Sequence, residues 1–296
     1  MSGALPAAPD PGHKRSTKSG AKEGRAAFTF ARRPEGASYL ARQHAEYPFH
    51  VTRAFHLDED WPEMATLYLQ SVSGGLFQGD RLRLSLSVEE GAACHVTTQA
   101  ATKVHSMERG EARLAVAIEV GAQAHLEYLS DPLILFPRAR VASTIALKVA
   151  EDATAILADS FLYHDPAGGA LPAFDSYESE IAIRGRDGEL LALDRFCIEH
   201  PEATHANPAL AGGHIAQGAV YVASRSRPGG ELAEGLRSAL EGVAELDWGA
   251  STLPNDAGAW ARLLAPEGDA LRKGLDAAVA AARAMTAGKG YTTRRK

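Results

Sequence analysis

Residues 71–106 of this 296-residue chain read SVSGGLFQGDRLRLSLSVEEGAACHVTTQAATKVHS. From Arg81 to Val88, leucine and valine alternate with arginine and serine, a period of two that is typical of a β-strand with one buried face. Gly74-Gly75 and Gly79-Asp80 form turns before this strand, and Glu89-Glu90-Gly91 reverses the chain into a second strand. The stretch therefore predicts a β-hairpin that has a special turn at each end.

The same strand, turn and strand pattern recurs further along the chain. Val88–Val96 resembles Ile118–Leu126 and, more weakly, Val149–Leu157. The turn residues matched in this way are Gly91, Gly121 and Asp152. Stacking such units would bury a continuous core between sheets, although hairpins can also resemble one another by chance. His95 and His125 fall at equivalent positions, where we expect outward-facing side chains.

Helical patterns appear only late in the chain. Apolar residues recur at three- and four-residue spacing over Glu231–Val243 and Pro266–Ala287. The predicted fold class is mainly β, with stacked hairpins forming a large β-sandwich or β-helix-like body and two C-terminal α-helices. Residues 1–26 contain almost no large apolar side chain and are predicted to be a disordered tail, and residues 27–296 a single domain.

The composition excludes several classes of protein. The chain is 45% hydrophobic and 23% charged with a net charge of −6, which is ordinary for a globular protein. The acidic excess lies outside the basic tail, which argues against a nucleic-acid partner. No apolar run is long enough for a membrane span or a secretory signal, so we expect a cytoplasmic protein with no membrane partner. Cys94 and Cys197 are expected to be buried small hydrophobic residues in a reducing compartment.

Common catalytic motifs are missing from the sequence. It contains no G-x-S-x-G, H-E-x-x-H, paired C-x-x-C, G-x-x-x-x-G-K-[ST] or G-x-G-x-x-G. The densest histidine cluster is His200 and His205, which Pro201 and Asn207-Pro208 place in a loop. One interpretation is an exposed polar loop, and the alternative is a β-sandwich metal-dependent hydrolase whose site includes His200 and His205.

Two aspartates follow strongly apolar segments. Asp159 comes after Ile156-Leu157-Ala158, and Asp194 comes after Leu190–Leu193. A buried carboxylate is unfavourable unless it is paired or lines a water-filled cavity, so both aspartates are candidates for such a position. For Asp194, an outward-facing side chain beside Arg195 is the simpler interpretation.

Three motifs together resemble the UreD (UreH) family of urease accessory proteins. The motifs are Gly74–Leu82 (GGLFQGDRL), Thr97–Lys103 (TTQAATK) and Pro132–Arg140 (PLILFPRAR). Ala155–Phe161 and Glu189–Phe196 follow in the family's order, and the resemblance extends from about residue 28 to the C-terminus. Arg138 stands where the family often has glycine, and the tail lacks the Trp-containing ending typical of the family.

The resemblance implies a function that composition cannot. UreD-like proteins are non-catalytic scaffolds, mainly β with two helices, that help insert nickel into apo-urease. The expected partners are UreF by direct contact, the GTPase UreG through UreF, and the apo-urease subunits. No tightly bound cofactor is expected, but nickel is expected to pass transiently through an internal water-filled tunnel.

The resemblance also implies candidate nickel-transit residues. Asp80 matches the acidic residue of the G-D motif, and Thr102 matches the hydroxyl position before Lys103. A polar position on a later strand matches either Asp159 or Ser160, a one-residue ambiguity that reverses the face of the side chain. Asp194 matches the acidic residue before Arg195. Isolated carboxylates and hydroxyls suit weak, transient binding of a borderline cation such as nickel.

Overall fold

The computed structural model describes residues 20–169, 172–199 and 201–292, and strands dominate it. The strands are β1 (Glu23–Arg32), β2 (Ser38–Ala45), β3 (Phe49–His50), β4 (Ala65–Ser71), β5 (Arg81–Val88), β6 (Ala93–Thr98), β7 (Thr102–Val104), β8 (Ala112–Val120), β9 (His125–Leu129), β10 (Leu133–Leu135), β11 (Arg140–Val149), β12 (Thr154–Tyr163), β13 (Ser176–Gly185), β14 (Leu190–Ile198), β15 (Ala216–Ser224), β16 (Asp247–Thr252) and β17 (Gly258–Ala265). The helices are α1 (Pro201–Ala206), α2 (Gly229–Glu241) and α3 (Gly268–Ala287), with a 3-10 turn at Pro254–Asp256.

Two sheets pack against each other around the main core. The seven-stranded sheet has the order β14-β13-β11-β8-β5-β1-β2. The ten-stranded sheet follows β16-β17-β15-β12-β9-β6-β4-β3, and β10 joins β12 to β7 beside that path. In the middle of each sheet the strands are parallel, because the chain crosses from one sheet to the other at each turn. Successive units therefore stack as the coils of a β-solenoid, which confirms the mainly β, β-helix-like class.

The two strands of one unit are not a hairpin, contrary to the prediction for residues 81–98. β5 pairs in parallel with β1 and β8, whereas β6 pairs in parallel with β4 and β9. The Glu89–Gly91 turn is a corner between sheets. Alternating hydrophobicity shows which face of a strand is buried, but it does not show which strand lies beside it.

The structure also shifts the repeat alignment by two residues. The strand positions that stack in register are Val88, Val120 and Val149. The left-handed corner residue Gly91 (φ 66°) is therefore matched by Gln123 (φ 54°), and Gly121 lies two residues earlier. A shift of two residues keeps each side chain on its own face of the sheet, so the alternating pattern does not detect it.

The two late helices are present and cover the outer face of the ten-stranded sheet. α2 and α3 bury Leu232, Leu236 and Leu271 against that face. This places an apolar layer outside the sheet in addition to the core between the sheets. None of the described helices has the length and apolar character needed to cross a membrane.

Three local expectations are corrected. The segment after residue 200 is the short helix α1 and not a loop, because proline is compatible with the first turn of a helix. Cys94 is buried as expected, but Cys197 is exposed on the outward face of the edge strand β14. β1 begins at Glu23, inside the segment predicted to be a tail, and residues 1–19 lie outside the described part of the chain.

Candidate functional site

The three sequence motifs lie side by side in the structure. The Leu76 amide donates to the carbonyl of Lys103 at 2.8 Å, and the Phe136 amide donates to the carbonyl of Val104 at 3.1 Å. β7 and β10 are parallel neighbours, and β10 continues the contact to β12. Residues of the three motifs thus form one continuous contact region where the coils turn, and Leu76, Val104 and Leu135 are buried together in it.

Gly75 is the position where the first two motifs approach most closely. Its φ of +129° is unfavourable for side chains, and a Cβ there would lie 2.3 Å from the carbonyl oxygen of Lys103. By contrast, a Cβ on Gly74 would meet nothing nearer than 4.0 Å. The second glycine of the motif is therefore required by the contact between the two loops.

Asp80 holds the first motif loop together. Its carboxylate is fully buried and accepts hydrogen bonds from the Phe77 and Lys22 amides, each at 2.8 Å. The Lys22 ammonium completes the arrangement with an ion pair at 2.7 Å and a further bond to the Gly75 carbonyl at 3.1 Å. Asp80 does not border the cavity described next, and its three partners give it a role in fixing the loop.

A cavity of about 390 Å³ lies between the sheets beneath these loops. Its polar lining includes Thr98, Thr102, Asp131, Ser143 and Asp159. Lys103, Ser160 and several further polar residues also border it, and leucine and isoleucine side chains complete the walls. The structure thus brings together three of the predicted site residues, Thr102, Asp159 and Ser160, around one space. Carboxylate and hydroxyl oxygens facing such a space can bind a hydrated divalent cation weakly.

Asp159 points into the space between the sheets. Its carboxylate accepts bonds from the hydroxyls of Ser179 at 3.1 Å and Tyr177 at 3.4 Å, both on the opposite sheet. Burial raises the pKa of Asp159 above its usual range, and the nearby charge of Asp194 adds to the rise although the two hydroxyl bonds oppose it. A cation entering the cavity would relieve the cost of ionising this carboxyl group.

Ser160 borders the same cavity but faces the other side of β12. A Cβ on Gly218 would lie 3.3 Å from the Ser160 Cβ and 3.2 Å from Leu271 of α3, so this side of the strand faces the helices. The Ser160 hydroxyl is buried and has no hydrogen-bond partner among the residues that the structure describes. Of the two alternatives at this position, only Asp159 directs its functional group between the sheets.

Asp194 lies between the sheets and does not point outward. It accepts short hydrogen bonds from the Tyr221 hydroxyl and the Arg262 guanidinium, both on the ten-stranded sheet. Asp194 does not border the cavity, but its charge acts on Asp159. Burial and the Asp194 carboxylate together raise the pKa of Tyr221, so this phenol stays protonated as a donor.

Sequence reasoning missed Asp131 and Thr98, which bind each other at the cavity wall. The Thr98 hydroxyl donates to the Asp131 carboxylate at 3.0 Å and accepts from the Asp131 amide at 2.8 Å. The available signal was position, because Thr98 lies inside the second motif and Asp131 directly precedes the third. Lys22 was missed as well, and nothing in its sequence surroundings indicated its contact with Asp80.

The histidines of the repeat units are buried, contrary to expectation. His95 and His125 point away from the core between the sheets, but both are buried and contact Glu127, at 2.7 and 3.3 Å, and the Trp61 ring packs against His125. Arg283 of α3 donates to both oxygens of Glu127 at 2.6 Å. The charged centre of this cluster is therefore a buried Glu–Arg pair, and its arginine comes from a helix 156 residues away.

The alternative site at His200 and His205 receives no support from the described residues. His205 contacts the carbonyl of His214 through Nδ1 at 3.3 Å, and His200 lies outside the described part of the chain. Within residues 20–169, 172–199 and 201–292, no three His, Cys, Asp or Glu side chains are grouped so that they could hold a metal ion.

Comparison with known proteins agrees with the motif geometry. The family model described as UreD urease accessory protein matches residues 22–296. The chain belongs to the UreD family. UreD-family relatives include urease accessory protein UreD 1 of Pseudomonas syringae pv. syringae (strain B728a), which is 38% identical over 91% of this chain and 94% of the relative. UreD 3 of Bradyrhizobium sp. (strain ORS 278) is 40% identical, covering 88% and 91%, and UreD of Natronomonas pharaonis is 32% identical, covering 86% of each.

Membership of the UreD family gives the chain a role in urease maturation. Each of these relatives is named as an accessory protein of urease, which agrees with a non-catalytic role. Arg138, where the motif resemblance led us to expect glycine, adopts a left-handed conformation with φ 61°, which glycine adopts at no steric cost.

Proposed function

We propose that this UreD-family chain is a non-catalytic scaffold for urease maturation that helps deliver nickel to apo-urease. In this proposal it bridges the urease subunits and UreF, with UreG recruited through UreF, and it binds nickel only in transit. The observation that carries the proposal is the cavity between the sheets, where Asp159 and Thr102 present oxygen ligands beneath the family motifs.

The chemistry of the cavity suits transit more than storage. Its oxygen donors belong to separate strands, and the described residues contain no closed cluster of metal ligands. A hydrated nickel ion could therefore exchange its water ligands with one or two protein oxygens at a time and still leave. Burial raises the pKa of the Asp159 carboxyl, so protons compete with nickel for its oxygens and we expect weaker nickel binding at lower pH.

The test is urease maturation in cells that express the urease subunits, the other accessory proteins and variants of this chain. Asp159→Asn and Thr102→Val should lower the nickel content and activity of purified urease on the order of tenfold, a typical loss when groups around a metal are changed. Matched controls are Asp187→Asn and Thr144→Val, because Asp187 is exposed in the turn between β13 and β14 and Thr144 is exposed on the outside of the seven-stranded sheet.

Assembly is measured in the same cells. Pull-down of the tagged chain should recover equal amounts of UreF and urease with all four variants, because the cavity residues lie inside the fold. Full nickel loading with Asp159→Asn and Thr102→Val together would refute transit through this cavity. Loss of urease from the pull-down would instead indicate that the substitutions act on the scaffold.

A further inference from the structure

The Asp194–Arg262 pair occupies the far end of the inter-sheet space from the motif loops. Asp194 is on β14, the edge strand of the seven-stranded sheet, and Arg262 is on β17, next to the edge of the ten-stranded sheet. The ion pair thus links the two sheets near their common edge. The side chains are 39% exposed for Arg262 and 28% for Asp194, so this end of the space reaches solvent.

Register places Arg262 in line with the cavity carboxylate. Asp159 pairs with Ala219 on β15, and Ala219 pairs with Arg262 on β17, so the three side chains share one face of the sheet. Only the methyl group of Ala219 lies between the carboxylate and the guanidinium along this row. Asp194 and Arg262 therefore lie beyond Asp159 on the same face of the sheet, outside the cavity itself but close enough for the charge of Asp194 to act on Asp159.

We propose that Arg262 is a movable counter-ion that closes this end of the passage until a divalent cation replaces it at Asp194. The inference rests on the proposed transit of nickel through the cavity. Tyr221 and Arg262 both donate to the same oxygen of Asp194, Oδ2. A cation that approaches this oxygen is repelled by the guanidinium, so it binds Asp194 only when Arg262 moves away.

Two aromatic rings already lie near the Arg262 guanidinium while it is paired with Asp194. Its Cζ lies 5.3 Å from the ring centre of Trp260 and 5.7 Å from that of Phe196. Aromatic faces attract a guanidinium, so these rings can hold it after the ion pair opens. Since the side chain is also partly exposed, the movement requires no rearrangement of the core.

The test measures binding of Ni²⁺, added as nickel chloride, to the purified full-length chain by equilibrium dialysis. Arg262→Gln and Arg262→Met remove the positive charge, and the methionine keeps an apolar stem against the rings. Each should bind Ni²⁺ about tenfold more tightly than the parent, within the usual range of coupling between two ligands of one site. Arg262→Lys keeps the charge and should stay close to the parent affinity. Should one neutral variant fail to fold by circular dichroism, the other decides the result.

Two controls assign any gain in affinity to the passage. Arg237→Gln removes an exposed positive charge on α2 and should leave nickel affinity unchanged, which excludes an effect of net charge alone. Adding Asp194→Asn to Arg262→Met should abolish the gain, because the carboxylate that the cation would occupy is gone. A parent-like affinity of both neutral variants would overturn the proposal.

Urease maturation separates this inference from the proposed function. If Asp159→Asn lowers urease loading and the neutral Arg262 variants behave like the parent in both assays, transit stands and the counter-ion role fails. If Asp159→Asn and Thr102→Val leave loading unchanged, transit itself fails and the counter-ion role falls with it. The expected result is reduced loading with the cavity variants and nickel binding that tightens without Arg262.

Discussion

The buried pair of Glu127 and Arg283 offers the sharpest test of what holds α3 on the sheet. Arg283 is 1% exposed and Glu127 is 0% exposed, and the guanidinium also bonds Asp58 and the carbonyl of Gly290. Arg283→Met keeps the length of the side chain and removes every one of these donors. It leaves the Glu127 carboxylate buried without its main counter-charge.

The magnitude follows from the contacts that remain. Removing one partner of a buried ion pair typically costs 3–5 kcal/mol, because the other charge stays buried. Here His95 and His125 still contact Glu127, so we expect a loss near the lower end, about 3 kcal/mol of the free energy of unfolding. Domains of this kind are stable by roughly 5–15 kcal/mol in total, so the loss should be plain in a urea titration followed by circular dichroism.

Two variants calibrate the measurement. Arg272→Met lies on the exposed face of the same helix, where it pairs with Asp269 and Asp276, and it should unfold at nearly the parental urea concentration. Combining Arg283→Met with Glu127→Gln removes the stranded charge and should recover at least half of the loss. A loss below about 1 kcal/mol for Arg283→Met, or no recovery in the double variant, would refute the reasoning.

The same cluster predicts how stability depends on pH. Burial alone would raise the pKa of Glu127, but the bonds from His125, His95 and Arg283 outweigh it and hold the pKa well below the usual range. When the pKa of a carboxyl is lower in the folded than in the unfolded state, its ionisation stabilises the fold. This stabilisation is complete above the pKa of the unfolded state, about 4.3 for Glu, and is lost as the pH falls further. The difference between the parent and Arg283→Met should therefore be largest near neutral pH and shrink below about pH 4.

Three further predictions concern single positions. Gly75→Ala should cost at least about 2 kcal/mol of the free energy of unfolding, because φ is positive there and the added Cβ would collide with the Lys103 carbonyl. Gly74→Ala should cost far less, and equal losses in urea titrations of the two variants would contradict this. Asp159→Asn should raise the thermal midpoint at pH 7, because the pKa of Asp159 is raised in the folded state and its ionised form is therefore unfavourable there. The stability advantage of the variant should vanish below about pH 4, where the carboxyl is protonated in both states. A parent protein more stable than the variant at pH 7 would contradict this. Arg138→Gly should be more stable than Arg138→Ala by about 1 kcal/mol of the free energy of unfolding, because the backbone at this position has a left-handed conformation. Equal stability of the two variants in urea titrations would contradict that explanation.

Strand positions and the recurrence of units could be predicted from the sequence, because both depend on local alternation. The strand predicted for Arg81–Val88 coincides with β5. Its partner strands could not be predicted, because a parallel neighbour such as β8 lies about one full coil away in sequence. All strands of one sheet show the same alternation of apolar and polar residues, so the pattern does not distinguish one from another. The hairpin expectation failed because the partner strands were unknown. The match of Gly91 to Gly121 was wrong by two residues for the same reason, because its structural counterpart is Gln123.

The candidate site was predicted in part, through the family motifs. Thr102 and Asp159 border the cavity, and Asp80 instead holds a loop through Lys22 and the Phe77 amide. A carboxylate that binds a loop and one that faces a cavity look the same in a sequence. What distinguishes them is the set of donors that the fold brings to each oxygen.

The burial of His95 and His125 depended on a distant helix. Their strand positions correctly indicate that they face away from the core between the sheets. Whether such a face meets water depends on residues distant in sequence, here Trp61 against His125 and Arg283 of α3 against Glu127. Local periodicity carries no information about a layer added by residues so far along the chain.

The stacked corners also constrain how the length of such a chain can change in evolution. Each coil contributes one strand to each sheet, so a single inserted residue within a strand would turn its apolar side chains to the wrong face. An extra residue is tolerated more easily at a corner such as that at Gly91, where the chain already leaves one sheet for the other. Larger changes in length would preserve both sheets only if a whole coil were gained or lost, and loss of the coil that contains Thr102 would also remove a wall of the cavity.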